Sequence, residues 1–192
     1  MTYRQRFIMT ATFALFVASI PAWGQTTNSI CDEIAKLNSD AHVYPWPRWQ
    51  DDEERTPVDE QLLRLRAKAI PALIACLADG RSTIVYGARW AQPSVGMVAF
   101  SMLWDLFTAC DNHRDGYGED CRPSIDGVIT WNDLCDEGPS DVVAPCGAGW
   151  EDHLKKHGRR SIQRSWQKAW TENKDRIYWD EPAKCFKLTK KP

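Results

Sequence analysis

Seven cysteines, at positions 31, 76, 110, 121, 135, 146 and 185, restrict this chain more than any other feature. Whether they act as thiols or as cross-links depends on the compartment, and the first residues bear on that. In MTYRQRFIMTATFALFVASIPAWGQ, Arg4 and Arg6 precede an apolar run over residues 7–20, and Ala22 and Gly24 occupy small-residue positions before Gln25. That order of charge, apolar run and small residues is a secretory signal peptide, residues 1–24. The run falls short of the roughly 18 apolar residues a spanning helix needs, and no later stretch approaches that length, so no membrane insertion is expected. With no cysteine at the new first position, a lipid anchor there is not expected either. All seven cysteines stay in the mature chain, residues 25–192, and meet an oxidising compartment, periplasmic or secreted, in which disulfides form. An odd number leaves one thiol over.

Two pairs share a spacing: Cys110 and Cys121 bracket ten residues, and so do Cys135 and Cys146. The spacing leaves several connectivities open. The expected arrangement is two locally stapled loops, with Cys31 and Cys185 tying the termini together. Cys76 is the expected odd thiol, because it lies in the apolar segment 72–77, where a thiol packs as a small hydrophobe. Loss of the leader removes two arginines and no acid, which takes the net charge from −2 to −4. A mildly acidic chain without a dense basic tract does not point to nucleic acid. The mature length suits one domain of about 100–200 residues. Ten tryptophans in the chain imply aromatic packing in its core.

The apolar periodicity is helical. Ile30, Ile34 and Leu37 share one face behind the capping residues Thr27, Asn28 and Ser29. HVYPWPRWQDDEERT interrupts that helix, since Pro45 and Pro47 bias the chain to an extended path. Thr56 followed by Pro57, with Asp59 in the capping-box position, starts a second helix whose buried face is Val58, Leu62, Leu65 and Ala69. AIPALIACLADG is a short helix opened by Pro71 and closed by Gly80. A short strand is expected at residues 83–86. Ser94 then opens the most apolar helix, with Val95, Val98, Ala99, Met102, Leu106 and Cys110 on one stripe, so it should sit at the centre of the core. The chain is loop-rich from 110 to 149, apart from a helical turn at 131–134 begun by Thr130 and Asp133. Helices are expected over 150–157 and 161–173, and a terminal hairpin around residues 180–184.

The pair QLLRLRAKAIPALIACLAD and SVGMVAFSMLWDLF resembles the helical units of HEAT-like repeats, over one to two degenerate units. The stretch WQKAWTENKDRIYW is similar to the endings of helical modules on other exported bacterial proteins. What the resemblance implies is a stacked-helix scaffold, a fold used more for holding partners than for chemistry. The expected fold class is therefore mostly α: compact HEAT-like helical hairpins with disulfide-stapled loops and a small C-terminal β-hairpin.

Few motifs carry chemistry. CDNHRDGYGEDC offers Asp111, Asp115, Glu119 and Asp120 as calcium donors, but the bidentate acid that an EF-hand loop needs at its twelfth position is Arg122. Turn-forming residues between two cysteines account for the stretch without a metal, and no cofactor is expected apart from calcium at that loop. HLKKH sets His153 and His157 one helical turn apart, yet Leu154 stands where a metalloprotease motif has glutamate, and the neighbours Lys155, Lys156, Arg159 and Arg160 are cationic. This basic stretch suits an acidic partner surface. No nucleophile elbow is present. Tyr44, Trp46, Arg48 and Trp49 on the proline-stiffened YPWPRW are the expected partner-binding residues, being of the types that anchor interfaces; the opposing reading is that these rings fold back over the core. Two functions follow: an exported protein-binding module, in its specific form an inhibitor or immunity-type protein for a secreted or periplasmic effector, or alternatively a cell-envelope hydrolase acting on cell-wall polymer.

Overall fold

The computed structural model describes residues 30–37, 56–83, 93–108, 123–137 and 145–190, with side chains described for all but 137 and 145–147. The first helix, α1, spans residues 30–35. It presents Ile30, Cys31, Ile34 and Leu37 to the core, as the spacing requires. Next, α2 (Pro57–Leu65) begins with the expected capping box. Thr56 N–H and Oγ1–H both donate to Asp59 Oδ2, at 2.7 and 2.8 Å, and Asp59 N–H donates back to Thr56 Oγ1 at 3.3 Å. A 3-10 turn, Arg66–Lys68, leads into α3 (Ile70–Cys76), with proline in its first turn.

Helix α4 (Val95–Phe107) is the centre of the molecule. Ser94 caps it, its Oγ accepting from Met97 N–H at 3.2 Å, and every residue of the helix except Met97 is buried. Its N-terminus abuts the end of α3. Gly96 N–H donates to Asp79 O at 2.9 Å, and a β-carbon at Gly96 would stand 2.5 Å from Leu77 O. Only glycine fits so close an approach of two backbones. Of the strand expected at residues 83–86, all but Thr83 lies outside the described residues; just before it, Ser82 forms an antiparallel bridge with Ser94.

The later helices are α5 (Trp131–Glu137), α6 (Pro145–His157) and α7 (Ser161–Asn173). The Thr130–Asp133 capping box forms as expected, but α5 is longer than the single turn the sequence implies. The start of α6 is also corrected, from residue 150 to Pro145. The glycines in CGAG read as loop, whereas proline at a first helical position is pre-set for a helix. After a second 3-10 turn, Lys174–Arg176, β1 (Ile177–Asp180) and β2 (Cys185–Leu188) form the antiparallel hairpin, with Tyr178 opposite Lys187 and Asp180 opposite Cys185. The chain is thus mostly helical with a small terminal hairpin.

Aromatic rings join the two halves of the core. Phe100 of α4 meets Trp131 of α5, Trp150 of α6 and Trp166 of α7, at centroid distances of 4.8, 5.4 and 6.1 Å. Phe107 carries the cluster on to Phe186 of β2 at 5.4 Å. The tryptophans of the described segments thus serve largely as packing, which brings helices far apart in sequence onto one phenylalanine.

The cysteine pairing differs from expectation in one respect. Cys31 is bonded to Cys76, across a sequence separation of 45, and so staples α1 to α3. Cys76 is therefore not the odd thiol, and Cys31 does not reach Cys185, which is a buried thiol on β2. Cys76 is buried as its neighbours imply. Burial does not separate a thiol from a cross-link, because half of a core disulfide is as buried as a packed cysteine. Cys135 is also disulfide-bonded. Its expected partner Cys146 lies on α6, the helix packed most extensively against α5, but its side chain is outside the described residues, as are Cys110 and Cys121.

Candidate functional site

The corner between α6 and α7 gathers a run of exposed cationic side chains. Helix α6 stops at Gly158, whose φ of +84° lets its N–H return to Leu154 O at 2.9 Å. Ser161 N–H and Oγ–H both donate to Gly158 O, at 3.0 and 2.8 Å, so only Arg159 and Arg160 separate the turn from the next helix. Lys155, Lys156, His157, Arg159, Arg160 and Arg164 are all exposed here. Lys155 pairs with Asp152 at 3.0 Å. Among the described residues, Lys156, Arg159, Arg160 and Arg164 take part in no ion pair. The Arg159 guanidinium lies across Gly80, where a β-carbon would be 1.9 Å from its Nη1.

Along α7 from this corner runs an open trough of about 550 Å³, lined by Gln163, Arg164, Gln167, Lys168, Thr171 and Glu172. It is positive at the corner and closes in charge at its far end, where Lys168 pairs with Glu172 at 2.8 Å. Gln163 anchors the helix that carries it, donating from Nε2 to Ile74 O and Ala75 O at the end of α3. A second open trough, about 650 Å³, is bounded by Glu33 of α1 and by Pro57, Val58, Glu60, Gln61 and Arg64 of α2.

Between these faces an ion network fixes the α3–α4 corner. Arg81 grips Asp79 with Nε and Nη2, the shortest contact being 2.7 Å, and reaches Asp32 of α1 with Nη1 at 2.7 Å. Partial burial of Asp79 opposes its ionisation, but the hydrogen bonds and charge of Arg81 outweigh that and hold its pKa below the ordinary 3.8. The same contacts raise that of Arg81. On the hairpin, the Lys187 ammonium 2.6 Å from Asp180, aided by the Ala183 N–H, lowers the Asp180 pKa. Trp179 lies under Arg66, whose Cζ is 5.5 Å from the ring centroid, and donates its indole N–H to Glu181, which also meets Arg66 at 3.1 Å.

The sequence-predicted sites fare differently. Tyr44, Trp46, Arg48 and Trp49 lie outside the described residues, as do Asp111, Asp115, Glu119 and Asp120. His153 and His157 do stack, with ring centroids 4.6 Å apart, His153 buried and His157 exposed. Among the described residues, no group of three or more His, Cys, Asp and Glu side chains is placed to hold a metal ion. Comparison with protein-family models, with curated proteins and with solved structures found no match in any of the three. Among the described residues no helix is long and apolar enough to cross a membrane.

Sequence reasoning had the basic character of the corner through Lys155, Lys156, Arg159 and Arg160, but not Arg164 or the trough. The repeat of Arg160, Arg164 and Lys168 at intervals of four is a signal that would have found that face. The Asp32–Arg81–Asp79 network had no such signal, because Asp32 lies far from Arg81 in sequence.

Proposed function

We propose that this chain is an exported helical protein-binding module, built on stacked helical units of HEAT-like kind, that recognises a partner protein in the periplasm or outside the cell. An inhibitor or immunity-type protein for a secreted effector is the specific form of that reading. One observation carries it: the outer faces of α2 and α7 offer open troughs lined mainly by long polar side chains. Small-molecule sites are enclosed clefts that bury most of the ligand, whereas both of these troughs lie open. Broad faces that combine aliphatic stems with polar heads suit a macromolecular surface instead. The leader-like residues 1–24 and the Cys31–Cys76 bridge accord with an oxidising compartment.

Affinity capture from a periplasmic fraction, with and without chelator, tests the reading. A protein partner should be enriched by the mature chain in both conditions, and Trp46→Ala with Trp49→Ala should weaken its retention while the helical circular dichroism persists. Turnover of cell-wall fragments by the mature chain, abolished by substitution of a carboxylate or histidine and with no partner enriched, would replace the binding module by a hydrolase.

A further inference from the structure

Resting on that reading, we propose that the arginine corner at the start of α7 is the docking surface, and that its partner is a protein presenting a cluster of carboxylates. The argument begins with helix electrostatics. Cations at the end of a helix are favourable, and Lys155, Lys156 and His157 at the end of α6 need no other explanation. Arg160 and Arg164 stand instead at the start of α7, where the macrodipole is positive and repels them. Arg160 occupies the N-cap itself, with no side-chain hydrogen bond to the helix, at the position where Ser, Thr, Asp or Asn would cap. Arg160 and Arg164 thus stand at the end of the helix that local stability disfavours, while Arg159, two residues past the end of α6, lies against Gly80.

They are also not neutralised. Among the described residues, Lys156, Arg159, Arg160 and Arg164 have no carboxylate partner; Arg64, Lys68, Lys174, Arg176 and Lys190 have none either, but the first four stand together at this corner. A local rule broken without compensation inside the fold marks a functional position. Arginine is the cation suited to it, since its planar fork takes a carboxylate in two parallel hydrogen bonds. The corner is pre-organised as well: Arg159 rests across Gly80, and the α6–α7 turn is closed by backbone bonds.

The same face selects the kind of polyanion. A nucleic acid or an anionic bilayer presents charge over long distances to a mature chain whose net charge is −4, and would be repelled away from the corner. A short acidic segment can place its carboxylates on Arg160 and Arg164. Its chain then runs along the trough past Gln167 and Thr171, which bond to each other, and Gln163, which bonds to the end of α3.

Binding of the mature full chain to a glutamate-rich peptide, a single-stranded oligonucleotide and phosphatidylglycerol vesicles tests this directly. The wild-type chain should bind the peptide in a salt-sensitive way and more tightly than the other two probes. Arg160→Asp with Arg164→Gln should weaken peptide binding by about tenfold or more. The same pair of changes should raise the melting temperature, because it supplies a cap and removes unfavourable charge. A structural role for the arginines predicts the opposite shift. Lys36→Gln, remote from the corner, should change neither readout. Unchanged peptide binding in the double variant, a fall in its melting temperature, or an equal arginine-dependent affinity for oligonucleotide or vesicles would each overturn the proposal. A captured protein partner retained by the double variant but lost with Trp46→Ala and Trp49→Ala would overturn the arginine corner alone and leave the binding module standing.

Discussion

Gly96 stands at the point where α4 begins against the end of α3, and nothing larger fits there. With Leu77 O only 2.5 Å from an added β-carbon, and that oxygen part of the backbone, Gly96→Ala forces the two helices apart. The expected loss is about 1–3 kcal/mol of unfolding free energy, measurable by urea denaturation. Beside it, Asp79 provides a pH signature. Its pKa is depressed by Arg81, so its contribution is fully present above the unfolded value of 3.8 and is lost as pH falls through the lower folded value. The difference in melting temperature between wild type and Asp79→Asn should therefore hold steady above about pH 5 and shrink below about pH 4. A difference that persists undiminished in acid would assign the effect to packing. Neither feature was legible in the sequence. Gly96 looks like any glycine inside an apolar run, and the value of Asp79 depends on a fold that brings α1 beside residue 81.

At the scale of elements, local signals worked where they were self-contained. The Thr56–Asp59 and Thr130–Asp133 boxes, the Ser94 cap and the hairpin turn all depend on residues three or four apart, and all formed where the sequence places them. Thr56 is buried as well as capping. Thr56→Ala should cost about 1–2 kcal/mol, read from chemical denaturation, with the loss concentrated in protection of α2 amides in hydrogen exchange. The missed element boundaries were the end of α5 and the start of α6. Packing against α5 and against Phe100 sustains helix through two glycines that propensity alone scores as loop. The arginine corner was legible beyond composition, since the break between residues 157 and 161 falls where the sequence places it; what the sequence lacked is the contact that lays Arg159 across Gly80.

The whole molecule is held by one central helix, an aromatic cluster around Phe100, and the Cys31–Cys76 bridge. Fold class followed from periodicity, since α4 is apolar on nearly every side and must lie inside. Disulfide pairing did not follow, because spacing along the chain says nothing of which helices meet. For a loop of 45 residues, the chain-entropy model gives a stabilisation of about 4 kcal/mol. The double variant Cys31→Ser and Cys76→Ser should lose about that much, and reduction of the wild type, which also opens the Cys135 disulfide, should lose at least as much. By contrast, Cys185→Ser should leave the bridge intact and the molecule still sensitive to reductant. If reductant has no effect on the melting temperature of wild type, the bridge does not contribute to stability in solution.

That bridge has a consequence for what happens when the backbone is cut. Residues 38–55 lie between the two bonded cysteines, and Arg48 and Arg55 are tryptic sites within that interval. A single cleavage there divides the chain into two polypeptides that share a sulfur–sulfur bond and one core. A nicked molecule should therefore migrate as a single species on a non-reducing gel, separate into two bands once reduced, and keep its helical signal until the reductant arrives. In a protease-rich surrounding, such a protein can sustain damage to the segment bearing YPWPRW without releasing its first helix.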